Sequence, residues 1–107
     1  MPNDKLSSAK CAAALKVLAD QGRLRIIQAL LHGPLAVSDL AELLSLEIGI
    51  VSHHLKVLRR HDMVTAEREG KNIYYELAPQ LLQRSTGRIN HLNLGCCRLE
   101  IPVAHPS

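Results

Sequence analysis

The chain has 107 residues, enough for one modest core and too few for two, so a single domain over 1–107 is expected. Hydrophobic residues make up 47% of it with no run near the length of a membrane span, and no Trp, no Phe and only Tyr74 and Tyr75 argue against stacking of single-stranded bases on an aromatic platform. The formal net charge of +3 is weak evidence for an anionic partner until its distribution is considered.

In chain order, 7–19 reads as a helix with Cys11, Leu15 and Leu18 on one stripe. Asp20 is placed to cap a second helix in which Leu24, Ile27, Leu30 and Leu31 recur, stopped by Gly33 and Pro34. Ser38 reads as the N-cap of a short third helix carrying Leu40, Ala41 and Leu44, and Ser45 as the cap of a fourth whose buried stripe is Val51, Leu55 and Leu58. The period then changes. MVTAERE (63–69) and NIYYEL (72–77), joined by Gly70-Lys71, read as a hairpin. Pro79 is placed to open a last helix with Leu82, Ile89 and Leu92 on one face, fraying at Gly95 before an irregular tail with Pro102 and Pro106.

That order predicts a mainly α protein with a small β-hairpin, a winged helix-turn-helix. The segment HHLKVLRRH (53–61) holds three basic side chains and three histidines with no acid. Burying Val51, Leu55 and Leu58 turns Ser52, His53, Lys56, Arg59 and Arg60 to other faces, and a helix of that width fits the major groove of double-stranded DNA. Arg68 and Lys71 on the hairpin are placed to meet phosphates beside it. The plainer alternative for each charge is an ordinary solvated side chain. Spacing of the two helices together with the wing favours DNA.

The block ADQGRLRIIQALL, then VSDLAELLSLEIGIVSHHLKVLRRHDMVTAEREGKNIYYEL, resembles the ArsR/SmtB family of bacterial regulators over about residues 12–77. The resemblance implies a homodimeric repressor whose first and last helices form the dimer interface. It also implies an imperfect palindromic operator and an inducer that lowers DNA affinity. Where family members often carry polar residues at the start of the reading helix, this chain has Ile48, Gly49 and Ile50, which shifts the expected base readout onto Ser52, His53, His54 and Lys56. The family's Cys-x-Cys site in a motif like LCVCDL is absent, because LAVSDL puts Ala36 and Ser38 there. Its Asp-x-His site on the last helix fails too, since Ile89 stands two residues before His91.

Cys11, Cys96 and Cys97 are left as soft donors. Three cysteines are an odd count, and the start MPNDKLSSAK lacks an apolar leader core, so a cytoplasmic protein with reduced thiols is expected rather than a disulfide scaffold. Arsenic(III) and antimony(III) favour three thiolates, with cadmium or another soft metal as a weaker fit. Adjacent cysteines bridge each other poorly, which suits Cys96 and Cys97 to act as paired ligands with Cys11 as a third, from the same chain or its partner. This placement resembles family members that sense arsenite through cysteines at or beyond the last helix. Cys11 alternatively serves as a small core residue, Cys96 extends the Ile89–Leu92 stripe, and His91 and His105 are further candidate ligands. A redox sensor of peroxide or persulfide is the rival chemistry. A winged module used only for protein contacts is another class. No Gly-rich phosphate loop or oriented catalytic triad supports an enzyme.

Overall fold

Leu40, Val51, Leu55 and Leu58, each almost wholly buried, hold the two helices of the helix-turn-helix against a layer built from Ile26, Ile27 and Leu30. The computed structural model describes residues 8–84 and 90–101, arranged as helices α1 (Ser8–Leu18), α2 (Gln21–Leu30), α3 (Val37–Leu44) and α4 (Ile48–Arg60) with strands β1 (Leu35–Ala36), β2 (Val64–Glu69), β3 (Asn72–Leu77), β4 (Leu82–Arg84), β5 (Asn90–Asn93) and β6 (Arg98–Ile101). None of these helices is long and apolar enough to cross a membrane.

Asp20 caps α2 as the sequence requires, in an extended conformation with its Oδ1 accepting from the Arg23 N–H at 3.0 Å. Arg23 turns back to donate from Nε to the Val17 carbonyl at 2.6 Å, tying α2 to the end of α1. Arg25 does the same for α3, donating to the Leu44 carbonyl at 2.9 Å. Both arginines therefore satisfy carbonyls that a helix end leaves without an internal partner. Gly33 breaks the chain away from α2 at φ +136, a conformation that side chains disfavour.

The two serine caps fall differently from expectation. Ala36, not Ser38, is the N-cap of α3, because Leu35 and Ala36 pair with Tyr75 and Tyr74 of β3 and stay extended up to that point. Ser45 ends α3 instead of starting α4, in a left-handed conformation (φ 55) with its N–H on α3 carbonyls. Glu47 is the N-cap of α4, without a side-chain capping bond.

The wing is as read from the sequence, β2 and β3 pairing from Val64↔Leu77 to Glu69↔Asn72 around Gly70. The short β1 adds a third strand to the other edge of β3.

A last helix from Pro79 is not present among the described residues. A second antiparallel sheet, β4-β5-β6, occupies that region, with Leu82 opposite Leu92 and Leu92 opposite Leu99. Leu92 is fully buried. Asn90, Asn93 and Gly95 are weak helix formers, and burial of Leu92 between two other leucines favours strands there. Residues 85–89, with Ile89, and 102–107, with His105 and both tail prolines, lie outside the described residues, as does the expected helix start at 7. Among the described residues the expected pairing of first and last helices in a dimer lacks its second member.

Candidate nucleic-acid interface and thiol cluster

The α3–turn–α4 unit presents α4 with one side buried and the rest in water. Ser52, His53, Lys56, Arg59 and Arg60 are all exposed, and α4 contains no acidic residue. Arg59 and Arg60 also sit in its last turn, where cations suit the helix dipole. Arg68 on β2 and Lys71 in the wing turn are also exposed. Strand alternation puts Arg68 on the opposite face of β2 from Glu67 and Glu69, so the wing has one acidic face and one basic edge. This arrangement can engage a groove with α4 while cations meet phosphates on either side.

His54 departs from that row. Its side chain is 14% exposed and lies between α4 and the start of α2, with Nε2 3.8 Å from Asp20 Oδ1 and Nδ1 buried without a hydrogen-bond partner among the described residues. Gly22 makes this possible, because a Cβ there would come within 2.6 Å of His54 Nε2. The Asp20 carboxyl is held below its ordinary value, first by the Arg23 backbone N–H and then by the Arg23 and His54 charges. A signal for this placement exists in the sequence: His54 follows Val51 by three and precedes Leu58 by four, at the margin of the buried stripe.

Cys11 lies on α1, and Cys96 and Cys97 lie in the turn between β5 and β6. That turn is closed by the Leu94 N–H donating to the Cys97 carbonyl and the Gly95 N–H donating to Asn93 Oδ1, both at 2.9 Å, with Gly95 at φ +90. The three sulfurs lie within 4.8 Å of one another, all half-buried. Cys11 and Cys96 are joined as a disulfide with Cα atoms 5.8 Å apart, inside the usual span of such a bridge. Cys97 is a free thiol whose Sγ stands 3.9 Å from each of the other two. The sequence places reduced Cys96 and Cys97 at the end of a last helix with Cys11 of the first helix as a third donor; the structure has a Cys11–Cys96 bridge and one free thiol, Cys97, with both C-terminal cysteines in a hairpin turn. The fold brings α1 and the turn together, which the counting of cysteines does not reveal.

Among the described residues the three sulfurs are joined by no nitrogen or oxygen donor, a donor set that is soft once the bridge is reduced. The other family positions offer nothing comparable: Ala36 is a buried apolar residue, Ser38 is exposed, and His91 Nε2 faces Glu100 Oε1 across β5 and β6 at 3.5 Å.

The family model described as "Bacterial regulatory protein, arsR family" matches residues 20–66, from the cap of α2 into β2. The HTH-type transcriptional regulator NmtR of Mycobacterium tuberculosis is 41% identical over 110 residues, covering 99% of this chain and 88% of that protein. An arsenical resistance operon repressor of Staphylococcus aureus is 31% identical over 82% of this chain and 85% of its own length. Among solved structures, the homodimeric winged helix-turn-helix DNA-binding domain Mb0332 of Mycobacterium bovis matches with a TM-score of 0.62 at 33% identity, over 65% of each chain.

Proposed function

The chain belongs to the arsR family of bacterial regulatory proteins, and from that premise we propose that it is a homodimeric, DNA-binding repressor released from its operator by a thiophilic inducer, most favourably arsenite or antimonite. The observation that carries the inducer part is the convergence of three sulfurs, from α1 and from the β5–β6 turn, within 4.8 Å.

In the dimer, two copies of α4 enter successive major grooves about 34 Å apart on an imperfect palindrome. Ser52, His53 and Lys56 meet base edges or nearby phosphates, and Arg59, Arg60, Arg68 and Lys71 anchor the backbone. His54, turned toward Asp20, acts by seating α4 on α2. Support for dimerisation through α1 comes from its apolar, uncovered surface: Ala12, Ala13 and Leu15 are exposed, and Val17 and Leu18 are its buried residues.

With the Cys11–Cys96 bridge reduced by two electrons and two protons from a cellular dithiol, Cys11, Cys96 and Cys97 each lose a proton as they replace the three hydroxyls of arsenous acid, releasing three waters. Three bonds then fasten the hairpin turn to α1, beside the dimer surface. A coupling of about 1–3 kcal/mol between that state and DNA would change operator affinity roughly 5–150-fold.

The bridge itself favours a second reading, a redox sensor. Peroxide oxidises one thiolate to a sulfenic acid and leaves as water; the other thiol then displaces a second water to form the Cys11–Cys96 disulfide.

Anisotropy of a labelled promoter duplex distinguishes these. Reduced protein should release DNA with arsenite more readily than with cadmium or zinc, and Cys96→Ser/Cys97→Ser protein should not respond. Equal release by wild type and that variant would end the thiol-sensing reading. Release by peroxide, reversed by dithiothreitol, with no response to arsenite would select the redox reading. Binding that is indifferent to salt and to Lys56→Glu would leave only protein contacts, since phosphate binding weakens steeply with salt.

A further inference from the structure

The reading helix opens on two exposed apolar side chains. Ile48 is 55% and Ile50 44% exposed, both in the first turn of α4, the end that supplies base contacts in a helix-turn-helix. Between them stands Gly49. A Cβ built there would meet nothing within 4 Å, and its backbone is not in the left-handed region that favours glycine. Among the described residues nothing therefore requires a glycine here, although glycine weakens a helix relative to alanine.

A glycine without an internal reason, flanked by two uncovered isoleucines, fits an external surface that approaches the backbone closely and offers small apolar groups. Ser52, His53, Lys56, Arg59 and Arg60 continue along the same helix, and no acid interrupts them. Charge complementarity therefore selects nucleic acid over a protein partner as the occupant. In the major groove of a duplex the C5-methyl of thymine is the group that apolar side chains recognise. Both isoleucines are β-branched, so their methyls are held in few rotamers and are presented with little loss of freedom on contact.

We infer that Ile48 and Ile50 are specificity-determining residues that read thymine methyl groups, with Gly49 leaving the room for the helix end to reach them. The inference rests on the DNA-binding reading above and adds a base preference to it. It adds to the base and phosphate contacts of the residues from Ser52 onward an apolar first turn that is responsible for thymine over cytosine.

The experiment begins by selecting duplexes from a random pool with the full-length reduced protein. Each thymine of the selected half-site is then replaced by deoxyuridine, which removes only the methyl and keeps pairing intact. At one or two positions per half-site the wild type should bind about fourfold more weakly for each methyl removed. Ile48→Ala/Ile50→Ala protein should bind thymine and deoxyuridine duplexes equally, while its salt dependence and thermal midpoint stay those of the wild type. Ile50→Val, which keeps a branched methyl pair, should retain most of the discrimination. Wild-type binding that is indifferent to deoxyuridine at every position, or thymine preference surviving in the double alanine variant, would overturn the inference while leaving DNA binding intact. Failure to select any duplex would overturn the DNA-binding reading itself, and this one with it.

Discussion

The imidazole of His54, on the reading helix, sits with Nε2 3.8 Å from Oδ1 of Asp20, the residue that caps α2. The two elements meet through a gap that Gly22 keeps open, since a Cβ at 22 would lie 2.6 Å from His54 Nε2 and 3.2 Å from Asp20 Oδ1. Gly22→Ala should thus lower the thermal midpoint, although the same change in an isolated helix raises stability by about 1 kcal/mol. In a His54→Ala background the alanine should become neutral or stabilising. Additive effects of the two substitutions in denaturant titrations would show that the residues are not coupled.

Asp20 carries a pH dependence of definite sign. Its folded-state value is depressed below the ordinary 3.8, chiefly by the Arg23 N–H, so its contribution is complete above that value and is lost as pH falls through the lower folded one. Asp20→Asn keeps an acceptor for the cap and should flatten that acid limb of the stability curve. Asp20→Ala should cost about 1 kcal/mol at neutral pH as well. Thermal melts between about pH 2 and 7 separate the two.

Gly49→Leu offers a clean division between folding and binding. Leucine is a good helix former and the site is open, so the thermal midpoint should hold or rise. Duplex affinity should nevertheless fall at least about tenfold, because the added side chain stands where the helix end meets the base edges. Unchanged affinity would show that this turn does not approach the groove.

Reduction should destabilise the monomer fold measurably. The Cys11–Cys96 bridge closes a span of 85 residues, and opening it should lower the unfolding free energy by about 2–4 kcal/mol. Peptide mapping without reductant should recover Cys11 linked to Cys96 and Cys97 alkylated. Cys97→Ser should leave both the bridge and its stabilisation in place.

Leu92→Ala tests the C-terminal sheet. Leu92 is wholly buried between Leu82 and Leu99, and its truncation should cost about 2–5 kcal/mol. Because β5 leads into the turn holding Cys96 and Cys97, the variant should lose thiol-dependent release of DNA at temperatures where α4 still binds it. A helix-like amide-exchange pattern over 90–101 would contradict the sheet.

The elements that the sequence revealed are those whose partners lie close along the chain. Val51, Leu55 and Leu58 repeat at helical spacing, and the alternation around Gly70 marks the wing. What it hid depends on distant pairing. Ala36 displaces Ser38 as a cap because β3, nearly forty residues on, holds it extended. Leu82 and Leu92 suit a helix stripe by spacing, yet they face each other across strands, a relation no local window contains. The cysteines were legible as soft donors by type, but the hairpin turn that presents two of them to Cys11 is tertiary. His54 counts as a base reader only because the apolar Ile48-Gly49-Ile50 start shifts readout down the helix, and the space at Gly22 that admits its ring beside Asp20 is a tertiary feature.

The Cys11–Cys96 bond also changes what the molecule is as a mechanical object. It closes residues 11–96, and with them the whole helix-turn-helix and wing, into one covalent ring. A force applied to those ends passes through two sulfurs and bypasses the reading helix altogether. In an optical trap the oxidised protein should yield only the segments outside the ring. The reduced one should pay out up to about 280–310 Å of additional contour as the ring opens, at roughly 3.3–3.6 Å per residue over the bridged span of 85 residues.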